Sequence, residues 1–346
     1  MATTRPSPLY RMHEPSFCTQ YAEVKERSLA AGVLLPGTPG QLVHHDAGGR
    51  SYWYRRYYPV QGGRPVDDFV CRQDDVAAFE AAKGAVEFSD WVSRQVRALR
   101  KLQFQVADKD VARVLVELHN KGLLTGGLMV VGTLAFMALL NELGAHAVAS
   151  RTQDIDLARR QALKLAAPLS FLQTVQATRL QFSPIPALSL KTPSTSVKLP
   201  GAAGLRVDLL ADGPDIGQII RVPELDWHAQ TIPHFSYLLR EPRPAAVLAG
   251  GHCIPVELPS PERFVWHKIY SSTARVATKD KAPKDLLQAA TLAAVLVEQD
   301  DARLGDALAA APPEVRAAAQ TRWPALRALL AMHPQTLEVI AHALAA

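Results

Sequence analysis

The sequence is poor in cysteine and contains no long apolar run. Its three cysteines, Cys18, Cys71 and Cys253, lie far apart with no CxxC spacing. Neither a structural zinc site nor a disulfide framework is therefore predicted. No stretch approaches the roughly 18 apolar residues of a membrane span, and the N-terminus lacks the apolar core of a secretory signal. We expect a cytoplasmic protein that does not interact with membranes.

Two common functional patterns are also missing. Gly126-Gly127 is not followed by Lys-Ser or Lys-Thr at Walker spacing, so a P-loop is not predicted. His44-His45, His228 and His234 do not pair with cysteine or with another histidine at a helical metal spacing. These histidines are interpreted as ordinary surface or packed side chains.

The composition is that of a globular protein. Hydrophobic residues make up 48% of the 346 residues and charged residues 21%, which excludes fibrous and disordered classes. The length is sufficient for two or three domains. A net charge of +5 suits polyanionic ligands but does not by itself establish nucleic-acid binding.

Residue patterns predict three units along the chain. Residues 1–122 contain a β-meander over Gln41–Arg72, where glycine pairs separate aromatic and β-branched runs, followed by two bridging helices. Residues 123–258 contain short apolar strands and helices. From residue 259 to 346 the sequence is alanine-rich and helical, beginning with Ser260 and Pro261 as helix-start residues. The predicted fold is α/β (α+β), with a small mixed central sheet flanked by helices and a helical C-terminal domain.

Several element boundaries follow from local signals. The apolar run Leu128–Val131 leads through Gly132-Thr133 into a helix-like segment, which predicts a strand, a tight turn and a helix. A helix is predicted from Pro168 to Leu180. In the C-terminal unit, Pro312-Pro313, Pro324 and Pro334 are predicted to divide the chain into short helices.

Two acidic residues carry the first chemical signal. Asp154 and Asp156 are separated by one residue, and in a strand this spacing places both carboxylates on the same face. Like charges this close repel unless a cation lies between them. Mg²⁺ binds carboxylate oxygens together with substrate phosphates, so this pair predicts a site for a divalent metal and a phosphate.

A third acid and a glycine turn extend this signal. Asp208 lies between apolar residues in LRVDLLA, which predicts a buried strand with one costly carboxylate that a metal would compensate. Gly132-Thr133 lies where a strand meets a helix N-terminus, a position at which backbone amides favour a phosphate. The Thr133 hydroxyl would add a further donor.

The order of these elements resembles the DNA polymerase beta-like nucleotidyltransferase superfamily. The matching segments read VVGTLAF, TQDIDLA and RVDLLA, within about Leu128–Leu210, and Thr133 stands where the family has serine. The resemblance is closest to poorly characterised bacterial nucleotidyltransferase-like proteins. It implies transfer of a nucleoside monophosphate from a nucleoside triphosphate (NTP) to a hydroxyl or phosphate acceptor, with release of pyrophosphate.

The resemblance also implies roles for individual residues. The superfamily's metal, Mg²⁺ or alternatively Mn²⁺, would be held by Asp154, Asp156 and Asp208, which are also the expected catalytic residues. Gly132 and Thr133 would bind the triphosphate. Basic residues of the following helical unit would contact it as well, and among Lys268, Arg275, Lys281 and Lys284 we select Lys268 and Lys284. Lys198 is a weaker candidate for the same role, and a solvated helix face is the alternative interpretation of the basic group.

The run YWYRRYY at residues 52–58 permits two interpretations. Aromatic residues mixed with arginines occur where proteins stack the bases of single-stranded nucleic acid. Strands are also enriched in aromatic residues irrespective of ligands, and alternate aromatics can pack into a core. The packing interpretation is favoured, while a role in acceptor recognition stays open.

Other functions remain compatible with the sequence. One is a non-catalytic nucleic-acid-binding or antitoxin-like module on the same fold, against which the full acidic triad argues. Another is a toxin or antibiotic-modifying nucleotidyltransferase, which only the acceptor distinguishes. The acceptor can be RNA, protein or a small molecule, and the sequence does not select among them.

Overall fold

The computed structural model describes residues 8–59, 63–147, 152, 154–186, 192–274, 281–299 and 303–345. Helices alternate with short sheets along the chain, as expected for the predicted α/β (α+β) class. Among the described residues, no helix combines the length and the apolar character needed to cross a lipid bilayer.

The N-terminal part contains the predicted β-meander and its bridging helices. Strands β2, β3 and β4 form a three-stranded antiparallel sheet in chain order, which confirms the meander. The long helix α2 packs on one side of this sheet, where the rings of Trp53 and Phe79 lie 4.6 Å apart. The elements are β1 (Arg11–Met12), α1 (Pro15–Ala30), β2 (Gln41–Ala47), β3 (Arg50–Tyr57), β4 (Val66–Arg72), α2 (Val76–Lys101) and α3 (Lys109–Asn120).

The central part contains a mixed seven-stranded sheet. Its elements begin with β5 (Leu128–Val131), α4 (Gly132–Glu142), β6 (Ala145–His146), β7 (Asp154–Arg159), α5 (Phe171–Ala177), β8 (Ser183–Pro184), β9 (Ser196–Lys198) and β10 (Arg206–Asp212). They continue with β11 (Ile219–Val222), a 3-10 turn (Pro223–Leu225), β12 (Trp227–Ile232), α6 (Phe235–Leu238), β13 (Arg243–Ala249) and β14 (His252–Leu258). The main strand order is β11-β12-β10-β7-β5; β9 pairs with β10, and β8 pairs with β9.

Strand directions in this sheet place the acidic residues. β7 and β10 are parallel neighbours, while β5 runs antiparallel to β7 on its other side. Residues alternate between buried and partly exposed along β7 and β10, as expected when one face of a sheet packs on the core. β13 and β14 form a separate hairpin, and β1 pairs with β6.

The C-terminal part is helical, as the sequence predicts. Its helices are α7 (Pro261–Ala274), α8 (Lys281–Glu298), α9 (Arg303–Ala309), α10 (Pro313–Leu329) and α11 (Pro334–Ala345). The predicted break at Pro324 is wrong, because α10 continues through it. Pro324 and Gln320, whose carbonyl loses its helical donor, are both exposed, so water can satisfy that carbonyl.

A second correction concerns α5. The sequence predicts a helix from Pro168, but the helix begins at Phe171. Ser170 is the N-cap, and its side-chain oxygen accepts a hydrogen bond from the amide of Gln173. The capping serine, rather than the preceding proline, therefore sets the helix start.

One hydrophobic core runs through all three predicted units. Val114, Leu157 and Leu292 come from residues 1–122, 123–258 and 259–346 respectively, and all belong to the same buried cluster. A second cluster lies between α1, α2 and the β13–β14 hairpin. The domain boundaries after residues 122 and 258 stay a prediction.

Two asparagines fix loop backbones in the same way. The buried side chain of Asn141, in α4, donates to the carbonyl of Gln105 and accepts from its amide, both at 2.8 Å. Asn120, at the end of α3, makes the same pair of bonds with Leu34, at 2.8 and 2.9 Å. Asn141 is 2% exposed, whereas Asn120 is only partly buried.

This pair yields a prediction about stability. Asn141→Ala leaves the buried amide and carbonyl of Gln105 without partners, so we expect it to lower the free energy of unfolding by about 2–4 kcal/mol. Asn120→Ala, the matched control, should lower it by about half as much or less, because water can replace the lost partners. Urea unfolding of both variants measures the difference. Equal losses would contradict this role of burial.

Candidate active site

The three acidic residues lie on one face of the central sheet. In the parallel pair β7–β10, Asp208 is opposite Asp156, and Arg206 is opposite Asp154. Paired residues of neighbouring strands point to the same side of a sheet, and so do residues two apart in one strand. Asp154, Asp156 and Asp208 therefore share a face, while the intervening Ile155 and Val207 are fully buried on the other.

Gly132 makes room for the Asp156 carboxylate. It has a φ of +68°, in the left-handed region that favours glycine, and it joins β5 to α4. A Cβ atom at this position would lie 2.9 Å from Cγ of Asp156 and closer still to its Oδ2. Hence the strand-turn-helix unit and the acidic strand are in direct contact at a point where only glycine fits.

The environment of Asp156 opposes its charge. The pKa of this carboxyl is raised to about 6, mainly by burial and next by the neighbouring charge of Asp208, while Lys268 acts in the opposite direction. Asp154 adds to the repulsion and Lys281 reduces it. A cation placed beside Asp156 would offset both the cost of burying the ionised carboxylate and its repulsion by the neighbouring acids.

Asp208 has two partners that the sequence analysis did not identify. Nε of Arg206 donates to Oδ1 of Asp208 at 2.7 Å, and the Ser196 hydroxyl donates to the same oxygen. NH2 of Arg206 also donates to the Ser196 hydroxyl at 3.0 Å. Spacing could have identified Arg206, because residues two apart in a strand lie on the same face and Arg206 precedes Asp208 by two residues. Ser196 comes from β9, and only the strand pairing places it there.

The basic residues of α7 and α8 lie in different settings. Lys268 is buried, and its Nζ donates to Oδ1 of Asp285 at 2.7 Å. Lys284 is half-buried, and burial lowers its pKa, with Lys268 adding to the effect. Lys281, which the selection passed over, places its Nζ 3.8 Å from Oδ2 of Asp154. The charges of Lys268 and Lys281 lower the pKa of Asp156, and the charge of Asp154 acts on the pKa of Lys284. The N-terminal part of α8 therefore lies beside the acidic face.

Thr133 and Lys198 complete the predicted set. Thr133 lies in the first turn of α4, whose N-terminus has no side-chain cap, so its first amides are available to a ligand. Lys198 is opposite Arg206 in the β9–β10 pair, but its Nζ donates to the carbonyl of Ala202 at 3.0 Å, in the turn between these strands. The structure therefore orients the Lys198 ammonium group toward that turn.

The three carboxylates are the kind of ligand that a hard divalent cation binds, but they do not converge on one point. Their oxygens are the ligands that Mg²⁺ takes, and the glycine cradle and the raised pKa of Asp156 favour a cation there. Within the part of the chain that the structure describes, no group of three or more His, Cys, Asp or Glu side chains is placed to hold a metal ion. The metal site thus stays a prediction, as do the catalytic and nucleotide-binding roles.

Comparison with known proteins adds independent information. No curated protein and no solved structure matches the chain. A family model described as nucleotidyltransferase matches residues 109–312, more than half of the sequence. The matched segment runs from α3 to just beyond α9 and includes the acidic face, Gly132 and the lysines of α7 and α8. The chain belongs to this nucleotidyltransferase family, whose members are transferase enzymes.

Proposed function

We propose that the chain is a metal-dependent nucleotidyltransferase of the DNA polymerase beta-like superfamily. An acceptor hydroxyl or phosphate oxygen forms a bond to the α-phosphorus of an NTP, and the bond from that phosphorus to the bridging oxygen breaks. A nucleoside monophosphate is transferred, and pyrophosphate leaves. When the acceptor is a hydroxyl, its proton is lost on the Asp208 side of the site.

The observation that carries this proposal is the register of the acidic strands against the glycine turn. Asp156 lies opposite Asp208 on β10 and opposite Val131 at the end of β5, immediately before Gly132. Two carboxylates and the N-terminus of α4 consequently meet at one place. Negative side chains suit a cation, and helix amides suit a phosphate, so a metal–triphosphate complex satisfies both.

Asp154, Asp156 and Asp208 would hold Mg²⁺, or alternatively Mn²⁺. When bound, the metal would neutralise the carboxylates and the phosphate oxygens and would polarise the reacting groups. Arg206 and Ser196 both bond to Oδ1 of Asp208, so the metal would bind its other oxygen, Oδ2. Arg206 would then keep the Asp208 carboxylate oriented toward the metal.

The lysines would act on the triphosphate from the helical side. Lys284 is half-buried beside the acidic face, and burial lowers its pKa, so binding an anionic phosphate would stabilise its charged form. Lys268 is held by Asp285 and acts on Asp156 through its field. Gly132 and Thr133 would supply amides and a hydroxyl to the phosphates, with Lys198 as a further, weaker contact.

Replacing Asp156 by asparagine tests the site. Asp156→Asn keeps the side-chain volume but removes a negative charge from the metal site, so we expect transfer to fall at least about 100-fold while the fold is retained. The assay follows label from each α-labelled NTP, with Mg²⁺ or Mn²⁺, into total RNA, protein or small molecules. Asp226→Asn, a change at an exposed aspartate bonded to Arg221, is the matched control and should retain transfer.

The same experiment includes a ligand-binding measurement. Mg²⁺ and NTP together should raise the melting temperature of the parent protein by linkage, and that of Asp156→Asn much less. Full transfer by the variant, or equal ligand-induced shifts in the melting temperatures of the two proteins, would rule out the proposed site. Ligand-induced stabilisation without transfer to any acceptor would favour the non-catalytic alternative.

Gly132→Ala gives a second test, because the added methyl group collides with the Asp156 carboxylate. We expect loss of transfer similar to that of Asp156→Asn, and destabilisation by more than the roughly 1–2 kcal/mol of a left-handed alanine. Gly32→Ala is the matched control, since Gly32 has a φ of +70° and nothing within 4 Å of an added Cβ. If both variants lose equal stability and both retain transfer, Gly132 has no special contact with Asp156.

A third prediction concerns pH and the metal-free protein. The pKa of Asp156 is near 6 in the folded chain against 3.8 for the free group, so the folded state holds this proton more tightly. The stabilisation from this bound proton is complete below the free-group pKa of 3.8 and is lost as pH rises through the folded-state pKa of about 6. This loss lowers the free energy of unfolding by up to about 3 kcal/mol. Asp156→Asn should therefore be more stable than the parent at about pH 8, with a smaller advantage at about pH 5.

Urea unfolding of both proteins in chelator measures this difference, and subtracting the two pH profiles isolates the one residue. Added Mg²⁺ should reduce the advantage of the variant at high pH, because the metal binds the ionised carboxylate. A difference that does not change with pH, or that grows toward acid, would refute the assignment of a raised pKa to Asp156.

A further inference from the structure

The β2–β3–β4 sheet separates its aromatic residues onto two faces. Successive residues of a strand point to opposite sides, so Tyr52 and Tyr54 lie on one face of β3, and Trp53 and Tyr57 on the other. The pairing supports this division, because Tyr54 is opposite the exposed Phe69 whereas Trp53 is opposite the buried Cys71. The run that permitted two interpretations is thus divided between them.

The inner face is packed as the favoured interpretation predicts. Trp53 contacts Phe79 of α2, and Tyr57 is 4% exposed. The buried guanidinium of Arg55 lies 3.9 Å from the centre of the Tyr57 ring and donates to the carbonyls of Pro36, Thr38 and Pro39. Arg55 and Tyr57 are therefore not available to a ligand, and Trp53 is partly covered by α2.

The outer face carries an aromatic patch, which we define as His45, Tyr52, Tyr54 and Phe69. Phe69 is 59% exposed and lies 5.7 Å from Tyr54 and 6.2 Å from Tyr52, measured between ring centres. His45 lies 5.2 Å from Tyr54. His45, Tyr52 and Tyr54 are partly exposed. Aromatic side chains that reach the surface as a group are typical of binding surfaces rather than of an isolated surface residue.

Charge on this sheet favours an anionic partner for the outer face. Its strand pairings place Arg50, Arg56 and Arg72 on the side of the patch, together with the single acid Asp67. Arg56 is bonded to Asp67 by two hydrogen bonds, at 2.8 and 2.7 Å, and Arg72 lies 3.2 Å from Asp74 beyond the strand. The side of the patch therefore has more basic than acidic residues.

We propose that the outer face binds a single-stranded polynucleotide, with bases against Tyr52, Tyr54 and Phe69 and phosphates toward Arg50. Aromatic rings accept bases of any sequence, and the basic excess on this side of the sheet matches a repeating phosphate backbone. A purely apolar protein partner would not account for the arginines. The inference that this polynucleotide is the acceptor rests on the proposed function. The inference that it binds to the sheet does not.

The position of the sheet in the chain agrees with an accessory role. Strands β2, β3 and β4 end at Arg72, whereas the nucleotidyltransferase match begins at residue 109. The sheet is thus an addition to the part that carries the acidic face. Acceptor choice is a property that can be added in this way without altering the site for the triphosphate.

Binding can be measured without catalysis. The probes are fluorescently labelled oligouridylate and oligothymidylate of about twelve nucleotides, followed by polarisation at low salt. Tyr54→Ala and Phe69→Ala should each weaken binding about 10-fold, whereas Tyr54→Phe, which keeps the ring, should bind like the parent protein. Ile216→Ala, a change at a 56% exposed apolar residue outside the sheet, is the matched control. The two probes distinguish RNA from DNA as the source of the strand.

Salt dependence tests the arginines separately. Arg50→Gln should lower the slope of log affinity against log salt by about 0.7 for a single strand, without changing any base preference. A duplex of the same length should bind at least about 10-fold more weakly, because its bases are not free to stack. A duplex that binds as tightly as the single strand would overturn the proposal.

The failure of this inference is distinguishable from failure of the proposed function. Asp156→Asn should bind both probes like the parent, since its change lies outside the sheet. If the parent protein binds the probes but transfers nucleotide to no acceptor, the polynucleotide surface stands and the proposed function fails. Absence of binding, or equal binding by Tyr54→Ala and the parent, overturns the proposal. A further outcome is self-association in ultracentrifugation that Phe69→Ala abolishes, with no oligonucleotide binding. This outcome would also overturn the proposal and would assign the face to a protein interface.

Discussion

Repulsion between carboxylates on neighbouring strands is the constraint around which the central sheet is arranged. Asp156 and Asp208 are direct neighbours in the parallel pair β7–β10, where like charges are unfavourable. Each acid meets a different compensation: Arg206 bonds to Asp208, and Lys281 lies near Asp154. Lys268 and Lys281 offset part of the charge at Asp156, whose pKa is still raised by burial and by Asp208. A fold that needed only stability would favour an apolar residue at this position, so a buried and incompletely compensated carboxylate supports the proposed site.

The buried pair Lys268–Asp285 connects this charge arrangement to the helices. It joins α7 to α8 at 2.7 Å with both side chains almost fully buried, and such a pair contributes little net stability but is costly to break. Lys268 also acts on Asp156, and α8 begins with the lysine nearest Asp154. The helical part is therefore coupled to the acidic face by electrostatics as well as by the shared core.

The parts of the fold that were predictable are those where the local pattern and the tertiary packing agree. Alternation in QDIDL and RVDLL predicts strands because one face is buried, and Gly132 predicts a turn because its conformation excludes other residues. The contact of Arg206 with Asp208 depends on which of several donors reaches the carboxylate. Likewise, the continuation of α10 through Pro324 depends on exposure of that turn. Sequence spacing limits such outcomes without deciding them.

The aromatic run of β3 shows how one strand can serve two purposes. Its two interpretations compete only if all its residues face the same environment, and a period of two gives each face its own. Tyr57 is buried and Trp53 packs against α2, and this packing holds the partly exposed Tyr52 and Tyr54 in fixed positions. A rigid support reduces the conformational entropy lost when a partner binds, so the packed face contributes to whatever the exposed face recognises.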